Sequence, residues 1–71
     1  MRKYTIIIEE VADNYSAYCP DLPGCIATGS TAEETIERMR EAIEFHIEGL
    51  KEENIAIPEP SSQAAHVEVA A

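Results

Sequence analysis

The segment 19–25, which begins and ends with cysteine, constrains the fold more than any other part of the sequence. Pro20 has no N–H group to donate to a strand ladder. Pro23 presets φ at the first central position of a tight turn, and Gly24 accepts positive φ at the second. The residues on both sides are rich in aromatic, β-branched and small apolar types. Two antiparallel strands joined by this turn are therefore predicted, over residues 15–19 and 25–29.

A further strand is predicted before this pair, over residues 3–11, and the Asp13-Asn14 turn would make it the first half of a hairpin. One face would carry Tyr4, Ile6 and Ile8, and the other Thr5, Ile7, Glu9 and Val11. Apolar residues on both faces predict a central or doubly covered strand.

One long helix is predicted after the third strand. Thr31 is the expected N-cap with Glu34 as its capping-box partner, and Ser30 with Glu33 is an equally spaced alternative. Apolar residues then recur every three or four positions at Ile36, Met39, Ile43, Ile47 and Leu50, with Ala42 and Phe45 widening or flanking the stripe. The helix is expected to run to about Glu53, with Asn54 as its stop.

The prolines of the segment 55–60 hold it out of a helix. Beyond it, polar and apolar residues alternate over 66–70. This alternation predicts a short fourth strand, parallel to the first strand and at the edge of the sheet. The predicted fold class is therefore α+β: a three-stranded antiparallel meander, one long helix and a short fourth strand, in one domain over residues 1–71.

The charge balance narrows the classes of partner. Fourteen acidic residues and five basic ones give a net charge of −9. Such a surface repels phosphate backbones, which predicts no direct binding of nucleic acid. It favours a basic protein partner, although plain solubility is an equally good reading.

Size and cysteine content predict location and assembly. No apolar run approaches the roughly 20 residues of a membrane helix, and no secretory signal is evident. We therefore expect a cytoplasmic protein with reduced thiols and no membrane association. A chain this short has a marginal core, which predicts a homo-oligomer, dimer or tetramer, through an edge strand or the helix.

No residue pattern predicts catalysis, a metal or a cofactor. The five-residue gap between Cys19 and Cys25 is too long for a typical zinc pair, and His46 and His66 add no pattern. Both cysteines are expected to be buried packing residues. The predicted helix also carries many glutamates, which form either a solvated face or a docking surface for a basic partner: Glu33, Glu34, Glu37, Glu41, Glu44, Glu48, Glu52 and Glu53.

Several of these segments in combination resemble the HicB-like antitoxin family. The resemblance rests on the run 15–25 with its Pro-Asp-Leu-Pro-Gly-Cys stretch, then on Gly29-Ser30-Thr31, Glu33-Glu34, Glu41-Ala42-Ile43 and Ile57-Pro58-Glu59-Pro60. It implies a partly degraded ribonuclease H-like fold, β-β-β-α-β, without enzymatic activity. It also implies an antitoxin that binds a small basic messenger-RNA-cleaving ribonuclease toxin and blocks its catalytic histidine.

Six residues are the candidate contacts for that partner: Asp21, Leu22, Glu37, Glu41, Glu44 and Glu48. Leu22 is expected either in the core or against a partner surface. Many members of the family carry a second, DNA-binding domain, whereas only eleven residues follow Pro60 here, so operator binding is not expected. The alternative function is an orphan oligomeric binding or regulatory module without a cognate toxin.

Overall fold

The secondary structure follows the predicted order in the computed structural model, which describes all of residues 1–71. The elements are β1 (Ile7–Val11), β2 (Asn14–Tyr18), β3 (Ile26–Gly29) and α1 (Ala32–Glu52). The strands form a single antiparallel sheet in the order β1-β2-β3. The α+β class, with a three-stranded meander and one long helix, is thus confirmed.

The register of the sheet separates a helix-facing side from an outer side. Ile8, Ala17 and Ala27 lie opposite one another across the three strands and pack in the core. The next row, on the outer side, is Ile7, Tyr18 and Ile26. Tyr4, Ile6 and Ile8 all pack against the core, which confirms that they share one face.

The core is small and is supplied largely by the loop between β2 and β3. Five apolar residues are buried in one cluster: Ala17, Cys19, Leu22, Cys25 and Met39. Leu22 and Met39 are completely buried. Burying a side chain of this size stabilises the fold by about 1.5–3 kcal/mol, so the pair contributes an amount comparable to the net free energy of unfolding of a small domain.

Two consecutive turns bring the loop into the core. The amide of Leu22 donates to the Cys19 carbonyl, and the amide of Cys25 donates to the Leu22 carbonyl, each over 3.1 Å. Gly24 has a φ of 85°, as the Pro23-Gly24 turn requires. The Cys19 amide then donates to the Cys25 carbonyl over 3.2 Å and continues the ladder between β2 and β3.

The helix begins and ends where the sequence predicts. Thr31 is the N-cap, because its Oγ1 accepts a hydrogen bond from the Glu34 amide over 3.0 Å. At the other end Asn54 has a φ of 56°, and the amide of Ile55 donates to the Leu50 carbonyl over 2.9 Å. The Asn54 amide donates to the Lys51 carbonyl, and the two bonds together form a Schellman motif.

Two strand predictions are wrong for the isolated chain. Residues 66–70 form no strand. The preceding residues 58–62 bond to side chains of Tyr4, Thr5 and Asp21, so they form no backbone hydrogen bonds to a strand that residues 66–70 could continue. The strand β1 is neither central nor doubly covered, because it lies at the edge of the sheet and no further strand pairs with it. The ribonuclease H-like arrangement as a whole therefore stays a prediction.

Gly29 lies where β3 and α1 approach most closely. A Cβ atom at this position would lie 2.6 Å from Oγ1 of Thr35 and 3.0 Å from its backbone nitrogen. Thr35 is fully buried, and its hydroxyl donates to the Thr31 carbonyl over 2.7 Å, so it has little freedom to move aside. A Cβ at Gly49, by contrast, would meet no atom within 4 Å.

We expect Gly29→Ala to lower the free energy of unfolding by about 1–3 kcal/mol, because it overpacks the contact between strand and helix. Gly49→Ala should raise it by up to about 1 kcal/mol, because alanine is the better helix former in an exposed helix interior. Urea unfolding at one fixed protein concentration measures both. Equal destabilisation by the two variants would contradict the steric role of Gly29.

Candidate protein-binding surface

The exposed side of α1 carries a row of four glutamates, which we call the acidic face: Glu37, Glu41, Glu44 and Glu48. Steps of four, three and four residues keep them within about 60° of one another around a helix with 3.6 residues per turn. Met39 and Thr35, which are fully buried, lie on the opposite side of the helix. The acidic face is therefore directed at solvent along about three turns.

Most of the negative charge of the acidic face is not neutralised within the chain. The structure contains three ion pairs, Arg2–Glu59, Arg38–Glu34 and Arg40–Glu37, and only the last involves this face, with 3.5 Å between Nε and Oε2. All three are surface pairs, which contribute little to stability. Glu41, Glu44 and Glu48 lie outside every pair, and their carboxylates are free to bind cationic groups.

Phe45 adds an apolar group beside the acidic face. Its side chain is 83% exposed, although the sequence placed it at the flank of the apolar stripe. It follows Glu41 by one helical turn and so lies next to that row. At 3.6 residues per turn, Phe45 lies about 160° around the helix from the centre of the apolar stripe, so it projects from the opposite side of α1, beside the glutamates. Its assignment to the stripe or its flank is therefore wrong.

The turn residue Leu22 does not belong to the surface. It is completely buried in the core cluster, so its side chain presents no area to a partner in the folded chain. Of its two expected locations, core or partner surface, the structure selects the core. We therefore remove Leu22 from the candidate contacts.

The carboxylate of Asp21 is fully hydrogen-bonded to residues of its own chain. Its Oδ2 accepts hydrogen bonds from the amides of Ser61 and Ser62, over 3.0 and 3.1 Å. Its Oδ1 accepts from the two serine hydroxyls, each over 3.0 Å. We call this set of four bonds the Asp21 anchor. The backbone amides of Ser62 and Ser61, followed by their hydroxyls, lower the pKa of Asp21 below its ordinary value.

A second carboxylate is also held by local hydrogen bonds. Oε1 of Glu34 accepts from the amide of Ser30 over 2.7 Å and from its hydroxyl over 2.9 Å. These bonds, with a smaller effect of Arg38, lower the pKa of Glu34. Glu34 therefore completes the helix cap by bonding Ser30, the residue before the N-cap Thr31. Its carboxylate is used within the fold and not by an interface.

The two cysteines are buried, as the sequence predicts, and they form no disulfide with each other. Burial, followed by the neighbouring Cys19, raises the pKa of Cys25, which disfavours the nucleophilic thiolate. The structure contains no group of three or more His, Cys, Asp or Glu side chains placed to hold a metal ion. No helix is both long and apolar enough to cross a membrane.

Comparison with known proteins decides the family. The profile described as HicB_like antitoxin of bacterial toxin-antitoxin system matches residues 4–70, which is nearly the whole chain. The chain belongs to the HicB-like antitoxin family. The resemblance read from the sequence is thereby confirmed.

The HicB-like chain also has curated relatives in phage, bacteria and archaea. It is 46% identical over 55 residues to a 14.9 kDa protein from the rep-hol intergenic region of Haemophilus phage HP1, covering 78% of this chain and 41% of that protein. It is 40% identical over 62 residues to a UPF0150 protein of Thermoplasma acidophilum, covering 86% and 90% of the two chains. The chain thus spans less than half of the phage relative but most of the archaeal one.

One solved structure matches the HicB-like chain in both fold and sequence. It is titled HicA3 and HicB3 toxin-antitoxin complex, and the matched chain superposes with a TM-score of 0.72 at 32% identity. The match covers 84% of this chain and 70% of the other. A domain of this architecture therefore occurs in a toxin–antitoxin complex.

We expect Asp21→Asn to loosen the segment that follows Pro60. A neutral amide oxygen accepts the two backbone N–H bonds more weakly than a carboxylate does, and the amide NH2 group cannot accept from the serine hydroxyls. Hydrogen exchange of the Ser61 and Ser62 amides, followed by NMR, should become faster. Asp13→Asn is the matched control, since Asp13 makes no hydrogen bond. Unchanged exchange in Asp21→Asn would contradict the anchor.

The Asp21 anchor should also depend on pH in a defined direction. Since the folded pKa of Asp21 lies below its ordinary value of 3.8, the bonds stabilise the folded chain fully above that pH. The stabilisation is lost as the pH falls through the lowered, folded pKa. A carboxyl NMR titration of Asp21 should give a midpoint below 3.8, and Ser61 and Ser62 should become disordered over the same range. A midpoint at or above the ordinary value would exclude the geometry.

Proposed function

We propose that this chain is an antitoxin that neutralises a small basic messenger-RNA-cleaving ribonuclease toxin by forming a complex with it. The observation that carries the proposal is the acidic face of a HicB-like domain, in which three of the four carboxylates have no ion-pair partner. The proposal places the complex in the cytoplasm and assigns the chain no catalytic step of its own.

The charge of the chain favours encounter with a basic protein. A net charge of −9 attracts a cationic partner over a distance of about one Debye length, and the acidic face concentrates part of that charge on one surface. Complementary charges raise the association rate more than they raise the affinity. The three unpaired carboxylates of Glu41, Glu44 and Glu48 are the groups best placed to act in this way.

Phe45 supplies an apolar contact, which the carboxylates of the acidic face cannot make. Binding energy at protein interfaces is concentrated in a few aromatic or arginine side chains, and charges at the rim contribute mainly to rate and orientation. A phenylalanine with 83% of its side chain in water, next to a row of carboxylates, is suited to fill an apolar pocket between basic residues. We therefore add Phe45 to Glu37, Glu41, Glu44 and Glu48 as a proposed contact.

Competition for cations offers a physical basis for neutralisation. A ribonuclease binds its substrate through Lys and Arg side chains that contact phosphates. Carboxylates of an antitoxin that pair with the same side chains exclude RNA from them. The family resemblance adds that the toxin's catalytic histidine is covered. The structural relative, whose title names a toxin-antitoxin complex, supports this use of the fold.

We expect the triple variant Glu41→Gln, Glu44→Gln, Glu48→Gln to associate about tenfold more slowly at low salt with the toxin encoded beside this chain. The difference from the wild type should shrink as salt is added, because screening removes the same attraction. Stopped-flow or surface-based binding kinetics, with inhibition of RNA cleavage as the functional readout, measure the effect.

A matched control removes the same charge elsewhere. Glu9→Gln, Glu10→Gln, Asp13→Asn changes three exposed carboxylates on and beside β1 and should leave the association rate close to that of the wild type. Phe45→Ala should mainly raise the dissociation rate, by about tenfold or more. Equal slowing by both triple variants would point to net charge alone, and failure of the wild type to bind any such toxin would favour the orphan oligomeric module.

A further inference from the structure

We propose that residues 63–71 form an arm that docks on a second copy of this chain, along the free edge of β1 and in the apolar groove beside it. Two copies would exchange arms reciprocally in a dimer with twofold symmetry. The inference does not rest on the toxin.

The arm extends away from its own chain. Every residue from 63 to 71 is exposed, and none donates or accepts a hydrogen bond. Val67 and Val69 are 82% and 77% exposed, although β-branched residues in alternation are typical of a paired strand. The radius of gyration is 13.8 Å, against about 11 Å for a compact chain of this length. The arm has the sequence of a strand but no partner within its chain.

The free edge of β1 offers the backbone groups that such a strand needs. β1 pairs with β2 only, so one row of its N–H and C=O groups has no partner in the sheet. Beside it, a groove of about 480 Å³ lies between residues 1–6 and the first half of α1. Its apolar lining consists of Met1, Tyr4, Ile6, Ile36, Met39 and Ile43.

The arm does not occupy the groove of its own chain, and the residues just before it, 58–62, are held by other contacts. The hydroxyl of Tyr4, which lines the groove, donates to the Pro58 carbonyl over 2.6 Å. Four residues later, the Ser62 carbonyl accepts a hydrogen bond from the hydroxyl of Thr5, which does not line the groove. The Asp21 anchor holds Ser61 and Ser62 at the loop between β2 and β3. No residue of the segment 55–71 lines the groove, so the arm does not enter the groove of its own chain and leaves it open to a second copy.

The charges of the groove fit the arm. Three of the five basic residues of this acidic chain line it, Arg2, Lys3 and Arg40. Arg2 pairs with Glu59 and Arg40 with Glu37, whereas Lys3 has no carboxylate partner. Glu44 of the acidic face is the single carboxylate of the lining. The arm carries Glu68 and no Lys or Arg. Because Lys3 is unpaired, this rim suits an acidic segment better than the row of Glu41, Glu44 and Glu48 does. A second copy supplies an acidic, β-forming segment of the kind that the groove accommodates.

Alternation fixes which side chains would enter the groove. Val67 and Val69 are two residues apart and so point to the same face of an extended strand. The other face carries His66, Glu68 and Ala70. Docking would bury the two valines against Ile6, Ile36 and Ile43 and would pair the free edge of β1. It would thereby supply, from another copy, the fourth strand that the isolated chain lacks.

The oligomeric state tests the proposal. We expect light scattering to give about twice 7.8 kDa for the wild type and a dissociation constant raised by about tenfold or more for Val67→Asp, Val69→Asp. The control His66→Asp, Ala70→Asp adds the same charge to the opposite face of the arm and should remain dimeric. Circular dichroism of each variant should show unchanged helix content, because the arm makes no contact in the isolated chain.

Isotope-filtered NMR on a mixture of labelled and unlabelled wild-type chains identifies the occupant of the groove directly. We expect intermolecular NOEs between the methyl groups of Val67 or Val69 and those of Ile36 or Ile43. A wild-type monomer, NOEs that are only intramolecular, or a dimer in which the arm keeps random-coil shifts would each overturn the proposal. Equal loss of dimer in the two double variants would do so as well.

Discussion

Burial of the turn between β2 and β3 is the interaction on which the rest of the structure depends. This loop provides Cys19, Leu22 and Cys25 to a core of only five buried apolar residues, and Met39 of the helix is buried in the same cluster. A domain of about 70 residues has little apolar surface to bury, so a connection that would ordinarily lie on the surface becomes part of the core. Because Leu22 points inward, the adjacent Asp21 is left at the surface, where its carboxylate binds Ser61 and Ser62.

The same packing divides the surface into two regions of opposite character. The helix lies over the sheet with Met39 inward, so Glu41, Glu44 and Glu48 face solvent, and the flank with Ile36 and Ile43 borders a groove with a basic rim. Arg2, Lys3 and Arg40 all line this groove, where Arg2 and Arg40 are paired with Glu59 and Glu37. The proposed toxin would use the acidic face and the proposed second copy would use the groove, with Glu44 at the boundary between them.

Sequence reasoning located part of the candidate surface, for reasons that particular residues make clear. The glutamate row follows from helical spacing, which is a local property, and the structure places all four members in solvent. The apolar character of Phe45 suggests the flank of the apolar stripe, but helical spacing puts it about 160° from the stripe, and the structure leaves it exposed. The sequence allows two locations for Leu22, because a leucine between two prolines has the same pattern whether it faces a core or a partner. The sequence also makes Asp21 a candidate contact, but the serines that bond its carboxylate lie 40 and 41 residues away along the chain.

The sequence by itself determined the elements: three strands, the Pro23-Gly24 turn, the Thr31 cap and the Asn54 stop. Each of these is specified by residues within a few positions of one another, and their preferred dihedral angles and local hydrogen bonds suffice. Only the tertiary structure decided that β1 lies at an edge, that the Asp21 anchor forms and that residues 66–70 remain unpaired. These outcomes depend on contacts between segments that are 40 to 57 residues apart, such as Thr5 with Ser62. No local pattern of residue types encodes which distant segment will arrive at a given edge, because that is set by packing of the whole chain.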